Sequence, residues 1–170
     1  EVEIIKNDRQ ITFKHNGRPF RPEEVAHLIY HGSTKREQDI GKFGTGFLTT
    51  HLLSRKVEVK GIREDGKKFE FTLDRNENSS DEIKKRMEET WEQYKRSLSE
   101  ITKNSTEYAA EYQYPLNDVS SKTVEAGVED LIKIAPYVLA FNDKLGAIKI
   151  TGLSHKLKFE LINERNEMVY

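Results

Sequence analysis

Three glycines in segment 40–47 form the pattern in this chain that is most typical of a ligand-binding loop. Gly41, Gly44 and Gly46 follow a G-x-x-G-x-G frame, and the apolar pattern of 47–53 behind them is typical of a helix start. Glycine lets backbone N–H groups approach a ligand without a Cβ in the way, and a helix start adds unpaired donors and the positive end of a dipole. The pattern therefore indicates an anion such as phosphate, with a plain packing turn as the alternative.

The glycine frame differs from two common phosphate-binding loops. The dinucleotide-binding loop has the order G-x-G-x-x-G after a strand, and the Walker A loop continues into Lys-Ser or Lys-Thr. This frame has neither arrangement, but it carries Lys42 inside it and Lys35 and Arg36 shortly before it. We predict a lid at about 30–46 whose cations meet phosphate groups, and an exposed charged loop is the alternative for Lys35 and Arg36.

A second motif, T-F-K-H-N-G-R-P-F, lies upstream at 12–20. Segment 21–30 follows it with Val25, Leu28 and Ile29 at helical spacing, and S-T-K stands at 33–35. A strand ending in an N-G turn, then a helix, then I-G-K-F-G-T-G-F resembles the GHKL, or Bergerat-fold, ATPases, and within them the heat-shock-chaperone and sacsin-like N-terminal ATPase domains. The resemblance is specific over residues 1–62 and rests on spacing beyond them.

The resemblance implies ATP as the ligand, with Mg²⁺ to neutralise its phosphates. It also implies a lid that closes on the nucleotide and drives conformational change in a larger protein. It places the three glycines at the phosphates and the H-N-G turn at the edge of the base. A threonine at the start of a later strand would lie near the base, although a threonine is also simply common in strands. The implied nucleotide-binding residues are His15, Asn16, Gly17, Lys35, Gly41, Lys42, Phe43, Gly44, Thr45, Gly46, Phe47 and Thr106.

The first glycine motif departs from the family pattern at two positions. The family has D-x-G-x-G, and its Asp accepts a hydrogen bond from the adenine amino group, whereas this chain has His15 at that place and Pro19 at the second glycine. A neutral imidazole nitrogen or the side-chain carbonyl of Asn16 can accept that bond, but a protonated imidazole cannot.

Segment 1–13 departs from the family pattern as well. The family has an upstream helix with a Glu that polarises the attacking water and an Asn that holds Mg²⁺, whereas 1–5 and 10–13 alternate like a hairpin turning at Asn7 and Asp8. Either the chain is a fragment of a longer protein, which we expect, or the hydrolytic residues were lost. The first case predicts an ATPase as the full-length protein, with its other domains as partners and a possible homodimer. The second predicts a degenerate fold that acts as an interaction module, with helix 83–101 as its partner face.

Composition is consistent with one soluble, cytoplasmic domain over 1–170. The chain has 28 Lys and Arg against 29 Asp and Glu, a net charge of −1, so it lacks a general attraction for nucleic acid or an anionic membrane. It has no cysteine, which excludes disulfides and thiolate metal sites. His27 and His31 are spaced one helical turn apart, but no carboxylate recurs at ligand spacing, and we expect no metal there.

The remaining elements predict an α+β fold. Segments 56–62 and 67–73 flank a D-G turn, segment 105–116 alternates up to Pro115, and segments 147–151 and 156–161 form a last hairpin. A long amphipathic helix is expected at about 81–103, and a second helix capped by Ser120, Ser121 or Thr123 is expected to bend or end at Pro136. The predicted architecture is a two-layer sandwich, a mixed and mainly antiparallel β-sheet covered on one face by helices.

Overall fold

The computed structural model describes residues 1–30, 49–101, 108–152 and 155–160. The predicted α+β class is confirmed: the described residues form one sheet of eight strands and three α-helices. The strands are β1 (Val2–Lys6), β2 (Gln10–His15), β3 (Lys56–Ile62), β4 (Lys67–Asp74), β5 (Ser99–Glu100), β6 (Ala110–Pro115), β7 (Ala147–Gly152) and β8 (His155–Glu160). The helices are α1 (Pro22–Tyr30), α2 (Ser80–Ser97) and α3 (Asp118–Ala140), with a short 3₁₀ turn at Thr49–Leu52.

The strand order across the sheet is β5-β4-β3-β6-β2-β1-β7-β8. The sheet is mixed and mainly antiparallel as predicted, since among the described strands only β1 and β7 pair in parallel. The three predicted hairpins are present. Asn7 closes the first, its Oδ1 accepting the N–H groups of Arg9 and Gln10 at 2.9 Å. Gly66 turns the second with φ of 79°, a conformation that favours glycine.

One face of the sheet carries the core beneath the helices. Val57 and Val59 of β3 are fully buried against Val25 and Ile29 of α1. Phe69, Phe71 and Leu73 of β4, Tyr94 of α2 and Tyr114 of β6 complete this cluster. A second cluster packs Val124, Val128, Ala135 and Leu139 of α3 on Ile148 and Ile150 of β7. Most of the opposite positions along the strands are polar or charged, as alternation predicts for a sheet with one covered face, and the apolar exceptions include Ile5, Ile62 and Ala147.

Helix α2 also protects the edge of the sheet. Beyond the short strand β5, the backbone N–H of Thr72 in β4 donates to Gln93 Oε1 at 3.0 Å, and Thr72 O accepts from Thr90 Oγ1 at 3.0 Å. The N–H of Glu70 donates to Ser97 Oγ at 3.0 Å. Side chains of the helix thus form the hydrogen bonds that a neighbouring strand would form with β4. Backbone groups left without such partners could pair with a strand of another chain.

The predicted end of α2 was wrong. The expected helix at about 81–103 begins at Ser80, with Ser79 as its N-cap, and stops at Ser97. Leu98 leaves the helical region with ψ of 120°, and the next two residues pair with β4 opposite Lys67 and Lys68. The apolar spacing continued past the helix because Leu98 still packs against the first core cluster from the turn.

Two expectations for α3 and one for β6 also need correction. Asn117 is the N-cap of α3 and accepts the N–H groups of Val119 and Ser120, whereas Ser120 is the third helical residue, and its hydroxyl bonds back to the Asn117 N–H. Pro136 does not end the helix, which continues to Ala140 because Leu139 is buried on the second cluster. Strand β6 starts at Ala110, so Tyr108 and Ala109 precede it.

Candidate functional site

The H-N-G turn lies directly after β2, one of the two central strands. Asn16 and Gly17 are exposed, whereas His15 is partly buried. The backbone N–H of Asn16 donates to Glu1 O at 3.2 Å, and its Oδ1 accepts from the Glu1 amino group at 2.7 Å. The backbone N–H of Gly17 donates to Nδ1 of the His15 side chain at 3.3 Å. The turn is therefore held by the neighbouring strand and by the imidazole itself.

His15 belongs to a row of side chains on the helix-covered face. The strand register places it opposite Val2 of β1 and Ala110 of β6, and Ala110 stands opposite Gly61 of β3. Ala110 is fully buried, and the space beside Gly61 is filled by the rings of Phe69 and Phe20. Of the small residues beside the imidazole, Ala110 is thus buried and Gly61 is covered by the phenylalanine rings. Asn16 and Gly17, which follow His15 in the turn, are exposed to solvent.

Burial fixes the chemical state of His15. Its pKa is lowered, first by burial and then by the Glu1 amino group, so the ring is neutral near pH 7. A neutral imidazole has one acceptor nitrogen and one donor, and here Nδ1 accepts from Gly17. The proton is therefore on Nε2, which can donate to a ligand but cannot accept a bond from one. The Oδ1 of Asn16 keeps a second lone pair as an acceptor.

An arginine–glutamate cluster anchors the chain between the turn and α1. Glu24 Oε1 accepts from Arg18 Nη2 at 2.6 Å and from Arg21 Nη2 at 3.2 Å, and its Oε2 accepts the Arg21 N–H at 2.8 Å. Burial alone would raise the pKa of Glu24, but these bonds lower it to about 2. The carboxylate also lies at the helix N-terminus, where a negative charge is favourable.

Backbone bonds tie the same segment to β3. The N–H of Phe20 donates to Ile62 O at 2.8 Å, and Phe20 O accepts the Glu64 N–H at 2.9 Å. The Phe20 ring packs edge-on against Phe69, with centroids 5.4 Å apart. The turn therefore leads into α1 along a fixed path across the sheet.

The other end of α1 is held as well. Arg75 Nη2 donates to Ile29 O at 2.7 Å, which satisfies a carbonyl at the helix C-terminus. Tyr30, the last helical residue, places its ring 6.1 Å from that of Trp91. Beyond the lid segment, His51 lies in the 3₁₀ turn, and burial followed by the charge of Arg75 lowers its pKa. The C-terminal end of α1, directly before the predicted lid, is thus held to the core.

The structure locates three of the predicted site residues: His15, Asn16 and Gly17 meet in one turn. The others, Lys35, 41–47 and Thr106, lie outside the described residues, as does most of the predicted lid. Within the described ranges, no group of three or more histidines or carboxylates is arranged to hold a metal ion.

Sequence reasoning missed two residues that shape this region. Ala110 is the immediate neighbour of His15, and the only sequence signal was its small size within a tyrosine-rich strand. Arg75 holds the C-terminus of α1 from a distant part of the chain, and no sequence pattern marks such a contact.

Comparison with known proteins adds no family assignment. No protein-family model matches the chain, and no curated protein matches its sequence. Among the described residues, no helix is both long enough and apolar enough to cross a membrane.

Proposed function

We propose that this chain is the ATP-binding domain of a GHKL-type ATPase, in which nucleotide closes a glycine-rich lid and drives conformational change in a larger, cytoplasmic protein. The observation that carries the proposal is the position of the H-N-G turn. It lies at the end of a central strand, on the helix-covered face, directly before α1. Segment 41–47 then supplies the amide-rich glycine frame that phosphates require.

The rigid surroundings of the turn support a binding role. Glu24 binds the side chains of Arg18 and Arg21, and the backbone of Phe20 is hydrogen-bonded to β3. These bonds fix the segment that follows His15 and Asn16. A polar turn that is already held in place can bind a base with little further loss of conformational entropy. Mg²⁺ would be held largely by the triphosphate itself, as is usual for nucleotide sites.

Thermal unfolding with ligands tests the proposal. ATP with Mg²⁺ should raise the unfolding temperature of the chain, by several degrees at ligand concentrations about a hundredfold above Kd. Mg²⁺ alone or inorganic phosphate should raise it far less. An unfolding temperature that does not respond to ATP would contradict the proposal.

The second candidate is a degenerate GHKL fold that acts as an interaction module without nucleotide. The observation in its favour is the His15 side chain, whose free nitrogen Nε2 is a donor where the family has an acceptor. The outward side of α2 would be the partner face. Partner binding that is unchanged by ATP, and by substitution of Gly44, would favour this candidate.

A further inference from the structure

The backbone groups at the two ends of the sheet differ in their hydrogen-bond partners. At the β4 end, side chains of α2 bond to the backbone groups of Glu70 and Thr72. At the other end, β8 pairs with β7 on its inner side, and no described residue pairs with its outer side. A strand edge presents a row of N–H and C=O groups to any strand that can approach it. The outer edge of β8 is therefore the open one within the described part of the sheet.

An apolar stripe lies on the helix nearest that edge. Ile134 and Tyr137 of α3 and its C-cap residue Phe141 stand at spacings of three and four, so they share one side of the helix. Their exposures are 51%, 66% and 89%, so together they form an exposed apolar patch rather than a single exposed side chain. Helix α3 packs on β7 and β8. We call these three residues the α3 stripe.

The direction of the α3 stripe follows from helical geometry. Val124, Val128, Ala135 and Leu139 mark the side of α3 that faces the sheet. Glu125 lies on the flank facing the middle of the sheet, because it binds Lys6 of β1 at 2.9 Å. At 100° per residue, Ile134 and Phe141 lie on the side of the helix opposite the Glu125 flank, whereas Tyr137 points directly away from the sheet. Ile134 and Phe141 therefore lie on the β8 side of the helix.

We propose that two copies of this chain associate through the outer edge of β8 and the α3 stripe. An antiparallel pairing of two β8 strands about a two-fold axis would continue the sheet across the interface. The same axis brings the two α3 helices together on the covered face, so Ile134 and Phe141 gain an apolar partner there.

Charge complementarity selects a second copy as the occupant of this edge. In β8, Lys156, Lys158 and Glu160 lie on the uncovered face, whereas Leu157 and Phe159 lie on the covered face, opposite Ile150 and Ile148. In the antiparallel register that places Phe159 opposite Phe159 of the second copy, Lys158 of each copy faces Glu160 of the other. This register therefore forms two pairs of opposite charge. Opposite charges at facing positions stabilise a strand pair, and like charges destabilise it.

Sedimentation velocity of the chain without nucleotide tests this proposal. We expect a dimer that forms between about 1 and 100 μM, the range of moderate affinities. Phe141→Glu should weaken it at least about tenfold, because it places a charge in the apolar contact. Leu52→Glu is the matched control: Leu52 is 85% exposed in the 3₁₀ turn and belongs to neither β8 nor the α3 stripe, so its substitution should leave the dimer unchanged.

A charge exchange provides the sharper test. Lys158→Glu should weaken the dimer, since it faces Glu160 of the second copy, and adding Glu160→Lys should restore it. The exchange keeps the ion pair between residues 158 and 160 within each chain, which is 2.8 Å long in the structure. A monomer at every concentration would overturn the proposal, as would a dimer insensitive to Phe141→Glu. Because no nucleotide is present, the result is independent of the proposed ATP binding.

Discussion

The backbone N–H of Gly17 donates to Nδ1 of His15 at 3.3 Å. With Nδ1 occupied and the ring neutral, Nε2 carries the proton and can act only as a hydrogen-bond donor. An amino group, which is itself a donor, is a poor neighbour for Nε2, whereas a carbonyl oxygen is a good one. The identity of residue 15 should therefore influence which purine the site prefers.

We predict that His15→Asp strengthens ATP binding relative to GTP by about tenfold, the value of one well-placed hydrogen bond. A carboxylate accepts a bond from the adenine 6-amino group and repels the guanine 6-oxygen. Competitive titrations of both nucleotides against the original and substituted chains measure the ratio. A ratio that stays the same, or moves toward GTP, would show that residue 15 does not touch the base.

The same burial makes stability depend on pH. The pKa values of His15 and His51 lie below their usual 6.5 in the folded state, so the unfolded chain binds more protons as pH falls. Stability should therefore be constant above about pH 7 and decline as pH drops through 6.5. Urea unfolding at pH 7.5 and pH 5.5 measures the difference, which should shrink in a His15→Gln, His51→Gln double variant. An undiminished difference in that variant would assign the effect to other groups.

Glu24→Gln should destabilise the fold by about 1–3 kcal/mol, because it leaves Arg18 and Arg21 without their shared carboxylate. The folded pKa is about 2 against an ordinary 4.5, so this stabilisation is complete above pH 4.5 and is lost as pH falls toward 2. Denaturant unfolding at pH 7 and pH 3 measures both effects. Glu23→Gln, which loses one longer contact to Arg21 at 3.4 Å, is the matched control and should change little.

Much of this fold could be predicted from the sequence because its signals are local. Alternation and the turn residues Asn7 and Gly66 gave the hairpins. The ends of α2 and α3 were harder to predict, because strand pairing beside Lys67 and Lys68 and the burial of Leu139 decide them, and both are contacts between distant parts of the chain. For the candidate site, the sequence indicated the H-N-G turn, but the donor state of His15 required the observed bond to Gly17.

Gly61→Ala should destabilise the protein by about 1–3 kcal/mol through overpacking. A Cβ at this position would lie 2.5 Å from the Phe69 ring and 3.0 Å from the Phe20 ring. Gly127→Ala is the control: nothing lies within 4 Å of a Cβ there, and alanine in a helix should stabilise by about 0.5–1 kcal/mol. The denaturant midpoints of unfolding of both variants and of the original chain measure these changes. A Gly61→Ala midpoint equal to that of Gly127→Ala would contradict close packing beside Gly61.

The most direct test of the central claim is a calorimetric titration of the chain with a non-hydrolysable ATP analogue and Mg²⁺. Two variants accompany it: Gly44→Glu, which places a bulky carboxylate among the amides proposed to hold phosphate, and Gly127→Glu, the same substitution on the exposed surface of α3. We predict binding that Gly44→Glu abolishes and Gly127→Glu preserves. Absence of heat with the original chain, or binding that survives Gly44→Glu, would contradict a nucleotide site built on the glycine frame.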